Sequence, residues 1–172
     1  MRLAPTALWR DYASIFSNPR FLRLACVVAF NFGGLFLYIA SAPEVVFGLL
    51  GLNERQFGWL FVPFIAGMML GSFVSARLAG RVDGGRLVSA GFAIGALAMA
   101  FNIAYTHLSP ALELPWVVLP LFLHALGLAL MVPVVTLAIL DMYPRQRGSA
   151  SSSQAFTQLL ANAAIGGALS PL

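Results

Sequence analysis

Few residues in this chain are able to do chemistry, and most of them are neutral. In "DMYPRQRGSASSSQAFTQLLANAA", from Asp141 to Ala164, Gln154, Gln158 and Asn162 stand at i, i+4 and i+8. On a helix that spacing draws one polar stripe, and the flanking faces are alanine, leucine, phenylalanine and isoleucine. Carboxamides donate and accept hydrogen bonds but carry no charge and no nucleophile. The stripe can hold a ligand or tie helices together; it cannot transform a substrate. His124, in "PLFLHALGLAL", is the only ionisable residue deep in an apolar run. Such a residue suits a proton- or substrate-linked role, or a neutral histidine bonded to a neighbouring helix. Asn31 and Tyr38 lie seven residues apart, on one helical face, and suit either a cavity wall or packing.

Catalytic arrangements are missing from the sequence. His124 and His107, the latter placed in an external loop, form no H-E-x-x-H pair, and no G-x-S-x-G or G-x-x-x-x-G-K occurs. The reading is therefore of a protein that is not an enzyme and that takes no cofactor and no metal. The lone Cys26 sits in an apolar run and rules out an internal disulfide framework.

The elements that must carry these residues follow from composition. The chain has 172 residues, 60% hydrophobic and only 9% charged, where a soluble domain has roughly a quarter charged. Five apolar segments divide it: Phe21–Ser41, Phe57–Ala76, Leu87–Tyr105, Trp116–Leu140 and Ser149–Leu172. Each approaches the roughly 20 residues that a helix needs to cross ~30 Å of hydrocarbon, the fifth being the least apolar. The fold class is all-α integral membrane, with the lipid bilayer as a partner. Asn18-Pro19 reads as the start of the first span, and Ser151 with Gln154 as a capping box for the fifth, or Ser149 as its start. Leu8, Tyr12, Ile15 and Phe16 fall on one face of a short amphipathic helix at a membrane surface, within a linker over residues 1–20. Gly67 with Gly71, and Gly91 with Gly95, have the four-residue spacing that lets membrane helices approach closely.

All ten basic residues are arginines. If the five segments span, Arg55 alone lies on one side, and the tail, "RLAGRVDGGR" and the Pro144 turn place the other nine on the opposite side. That asymmetry predicts a cytoplasmic amino-terminal tail. Arginines between apolar runs, with no aromatic-basic stripe, exclude nucleic acid as a partner.

"NPRFLR", "FGGLFLYIASAPEVVFGLLGLNERQFGWLF", "GMMLGSFVSARLAGR" and "MVPVVTLAILDMYPRQRGSASSSQAF" resemble the second half of a major facilitator transporter. The nearest branch is the Bcr/CflA-type drug-resistance exporters. Pro144, Arg147, Gly148, Ala150, Ser151 and Ser152 match the family's "P-x-x-R-G-x-A-S-S" turn. Gly71, Arg77 and Arg81 match its cytoplasmic loop, in degenerate form because no acid precedes Arg77. Val134 follows Pro133 where many relatives have asparagine.

The resemblance implies helices 7–11 of a 12-helix fold, with residues 21–172 a partial carboxy-terminal six-helix bundle whose last helix is absent. It implies a multi-pass protein of the bacterial inner (plasma) membrane that needs a missing amino-terminal half. Its substrates would be small, often hydrophobic compounds exported with proton coupling, and Asn31, Tyr38, His124, Gln154, Gln158 and Asn162 would be the pathway candidates. The alternative is a non-transporting membrane segment, either a gene remnant or an assembly partner.

Overall fold

In the computed structural model, which describes residues 5–51, 53–56, 58–109 and 113–169, the chain forms six α-helices. These are α1 (Pro5–Phe16), α2 (Pro19–Pro43), α3 (Gly58–Leu78), α4 (Gly84–Leu108), α5 (Leu114–Met142) and α6 (Arg147–Leu169). Arg2, Phe57 and the last three residues lie outside the described residues. Four helices, α2 to α5, are long and apolar enough to cross a membrane. The fifth expected segment is α6, 23 residues long, and it falls short of them in apolarity because of its serines and amides.

Several boundaries move, each for a local reason. The first span does not stop at Ser41. It runs through Pro43 into a π-helical turn, Glu44–Leu49. Proline has no N–H to donate, and beyond it the bonding widens, with Leu50 N–H reaching the Val45 carbonyl. His107 is not in a loop but in the last turn of α4. Neither Ser149 nor Ser151 starts α6, which begins at Arg147 with the Gln146 carbonyl accepting from Ala150 N–H. The capping box fails because the Gln154 side chain points to another helix. Asn18 does cap α2, its Oδ1 accepting from Arg20 N–H at 2.9 Å. Between α3 and α4 the turn needs Gly80, at φ +75°, and Asp83 caps α4 by accepting from Arg86 N–H.

The chain forms two compact units, residues 1–36 with 135–172, and residues 37–134. In the first, α1 lies on α6. Tyr12 and Ser152 hydroxyls meet at 3.0 Å, Gln146 Nε2 donates to Asp11 Oδ1 at 2.7 Å, and Asn18 Nδ2 donates to the Tyr143 hydroxyl at 2.9 Å. Phe16 stands edge-on to both Phe21 and Phe156. Further along α6, Gly33 meets the Ile165 side chain and Gly166 meets the Phe36 ring, so α2 and α6 also touch at small residues.

The second unit is organised round α5, whose apolar window is 50% buried against 22% for α3 and for α4. The paired glycines explain how. A methyl group on Gly67 or Gly71 would run into the backbone carbonyls of Phe122 or Leu126, and one on Gly91 would lie 2.6 Å from the Gly127 carbonyl. Both pairs therefore bring their helices onto the same partner, α5. Ser75 adds a bond across that contact, donating to the Leu130 carbonyl at 3.1 Å. The π-helical turn serves the other end of this unit, where Val46 joins Ala42, Leu60 and Val118 in a buried cluster.

Candidate functional site

The polar stripe of α6 sits in the first unit, together with Asn31 of α2. The structure splits the stripe. Gln154, 7% exposed, donates through Nε2 to Thr136 Oγ1 of α5 at 3.0 Å. An interhelical bond of this sort in lipid is worth about 0.6 kcal/mol on average and up to ~2. Gln158, one turn on, is half-buried. Asn162 is half-buried as well, and its Oδ1 is fully enclosed with no hydrogen-bond partner among the described residues. That oxygen lies 3.9 Å from where a β-carbon on Gly33 would be, so it faces α2 at its closest approach. An enclosed acceptor with no bond costs about 1–3 kcal/mol, and each such group in a native structure calls for a reason. Asn31 turns inward on its own helix, donating to the Val27 carbonyl at 3.0 Å.

Tyr38 and His124 belong to the second unit. The Tyr38 ring packs on the Ala42–Val46–Leu60–Val118 cluster, and its hydroxyl is enclosed with no partner among the described residues. His124 is 4% exposed, on the stretch of α5 from Phe122 to Leu126 that receives the Gly67 and Gly71 contacts. Asn31 and Tyr38, paired by spacing, thus fall in separate units.

The two turn motifs behave unlike each other. Gly71 is buried inside α3 against α5, ahead of the arginine-rich turn. Arg77, in the last turn of α3, lays its guanidinium 4.8 Å from the centre of the Phe73 ring, and Arg81 is exposed in the turn. Pro144 follows α5 in an exposed turn. Arg147 opens α6 with an ion pair to Asp141 at 3.4 Å, between side chains 60% and 72% exposed, and such surface pairs contribute little to stability. Among the described residues nothing lies within 4 Å of a β-carbon built on Gly148, so packing against them does not require glycine there. Thr136 is the residue that sequence reasoning passed over. Its signal was a hydroxyl alone in the apolar run "VVTLAIL".

Amides and hydroxyls set into apolar helices can bind and orient a guest. Among the described residues no cluster of three or more His, Cys, Asp or Glu could hold a metal. The sequence model of the Major Facilitator Superfamily matches residues 6–172. The chain belongs to that superfamily. It is 35% identical over 130 residues to the multidrug transporter MdfA of Edwardsiella piscicida, an alignment covering 74% of this chain and 31% of that protein. The MdfA of Yersinia pestis biovar Antiqua (strain Angola) is 26% identical over 132 residues, 75% of this chain and 31% of that one. The multidrug resistance protein MdtM of Salmonella typhimurium is 24% identical over 144 residues, 84% and 35% respectively. This major facilitator chain thus spans about a third of the length of these relatives. With its apolar helices, it is a multi-pass membrane protein.

Proposed function

We propose that this chain is part of a secondary transporter that exports small, hydrophobic compounds across the bacterial inner membrane in exchange for protons. The observation that carries the reading is the family match over residues 6–172, and the relatives' names, a multidrug transporter and a multidrug resistance protein, support it. Within it, α2 to α6 act as helices 7–11, and the tail of residues 1–20 is a cytoplasmic linker. Residues 21–172 form one side of a pair of halves that rock about a midplane site, so transport requires an amino-terminal half. Gln158 and Asn162, both half-buried, form a wall of the substrate pathway. Tyr38, in the other unit, is kept as a separate pathway candidate. His124, deep in α5, is the candidate for a proton-linked role, and Asn31 shapes the α2 side. Gln154 belongs to the bundle more than to the pathway, because its amide already has Thr136.

The test joins this chain behind the amino-terminal half of the Edwardsiella piscicida relative and follows a lipophilic fluorescent dye in inverted vesicles. Dye movement should follow the imposed proton gradient. Gln158→Leu with Asn162→Leu should reduce it at least tenfold at an unchanged amount and melting temperature of the protein. A chimera that inserts and melts normally but moves no dye would support the non-transporting reading instead.

A further inference from the structure

The apolar face of α1 is used up inside the protein. Ile15 is fully buried, the Tyr12 hydroxyl meets Ser152, and the Phe16 ring stands edge-on to Phe156. What α1 turns outward is its other side, where Trp9 is 78% exposed and Arg10 and Ser14 are exposed beside it. Through the Ser17-Asn18 turn the chain enters α2, and Arg20 and Arg23 stand exposed on its first two turns. At i and i+3 they are neighbours on one face, and no acid occupies the first turn of α2. The acids of the first unit are Asp11 and Asp141, and both are engaged: Asp11 accepts from Gln146, and Asp141 pairs with Arg147. The guanidiniums of Arg10, Arg20 and Arg23 therefore have no ion pair among the described residues. The side-chain contacts of α1 with α6 and the turn before it fall between Gln146 and Phe156, a stretch of about 15 Å, so α1 is held at the Pro144 end of α6.

We propose that Trp9, Arg10, Arg20 and Arg23 form a contact surface for anionic phospholipid, with phosphatidylglycerol as the simplest partner. The partner must bring negative charge, because neighbouring like charges repel and the oxygens of a phosphodiester match the guanidinium fork. It must also bring an apolar body beside that charge, because an exposed indole on a membrane protein favours the depth where headgroup meets acyl chain. Free phosphate or a soluble acidic peptide supplies the charge and leaves the indole in water. A lipid supplies both. The surface includes no residue of the proposed pathway, so it stands whether or not the chain transports anything.

The test places the full chain in lipid nanodiscs with Trp59→Phe and Trp116→Phe, which leaves Trp9 as the only tryptophan. The discs hold phosphatidylglycerol and phosphatidylcholine in equal amounts, and one or the other carries brominated acyl chains, which quench a tryptophan only at close range. Brominated phosphatidylglycerol should quench Trp9 more, with a preference of about fivefold in relative affinity at low salt, shrinking at high salt. Arg10→Gln, Arg20→Gln and Arg23→Gln together should bring the two lipids to parity, with circular dichroism checking the fold. Arg10→Gln alone, at an exposed position, should remove part of the preference, and it carries the test if the triple variant does not fold. Arg55→Gln, in the other unit, is the control and should leave the preference unchanged. Equal quenching by the two lipids in the parent chain would overturn the proposal and turn attention to an acidic protein segment as the partner of these arginines. A preference that survives intact in the folded triple variant would overturn it as well.

Discussion

Gln154 and Asn162 have similar side chains two turns apart on α6, and their surroundings give them opposite energetics. Replacing Gln154 with leucine removes the bond to Thr136 and leaves that hydroxyl short of a donor. The expected loss is about 0.6–2 kcal/mol, seen as a lower melting temperature in detergent. Thr136→Val should cost little more once Gln154 is gone, so the double mutant should be less than additive. Asn162→Leu removes an acceptor that has no partner among the described residues, and its melting temperature should stay level or rise. A destabilisation as large as that of Gln154→Leu would show that Asn162 also holds the bundle together. Spacing revealed the stripe, because three amides at a helical period are visible in sequence. Which of them is already satisfied depended on Thr136, 18 residues away, on a helix whose rotation the period does not give.

At the scale of elements, the glycines divide the same way. Gly67, Gly71, Gly91 and Gly127 mark where α3 and α4 meet α5 backbone to backbone. Backbone cannot swing aside as a long side chain can, so Gly127→Val should force α4 and α5 apart at roughly 1–3 kcal/mol. Gly167→Ala is the control, since among the described residues nothing lies within 4 Å of its β-carbon; alanine there should be neutral or mildly stabilising. A thermal melt of both variants decides the point. The four-residue spacing gave two of these pairs correctly as close-approach sites. It did not reveal Gly127 as the partner of Gly91, because Gly127 has no glycine four residues away. The docking of α1 on α6 was not legible either. Amphipathic spacing shows that α1 has an apolar face, and lipid or protein covers such a face equally well.

For the whole molecule, the arginine asymmetry makes a topological prediction, and the exposed turns supply the probes. Ala79 and Arg145 are exposed in the two turns on the arginine-rich side, and neither caps a helix as Asp83 does. In a Cys26→Ala background, cysteine at either position should be shielded from an impermeant thiol reagent applied to intact cells. Arg55→Cys and Glu113→Cys, both exposed on the other side, should react. Labelling at Ala79→Cys from outside would reverse the proposed orientation. The same experiment tests whether α6 spans, since Gly167→Cys should then react in parallel with Arg55→Cys.

The sequence by itself determined the class of this protein: a membrane chain of long apolar helices, with arginines gathered on alternate connections and a turn that marks its family. These are local properties, since hydropathy, helical period and charge are read residue by residue. Only the tertiary structure decided which surfaces those helices share. It chose α5 as the helix that receives both glycine pairs, and it spent Gln154 on Thr136 while leaving the enclosed Asn162 oxygen without a bond among the described residues. It also fastened Asp11 to Gln146 across 135 residues of chain. Such pairings depend on how each helix is rotated about its axis and how deeply it is seated. In helices apolar on nearly every side, the sequence holds little to fix that rotation, and the choice falls to backbone proximity and a few hydrogen bonds.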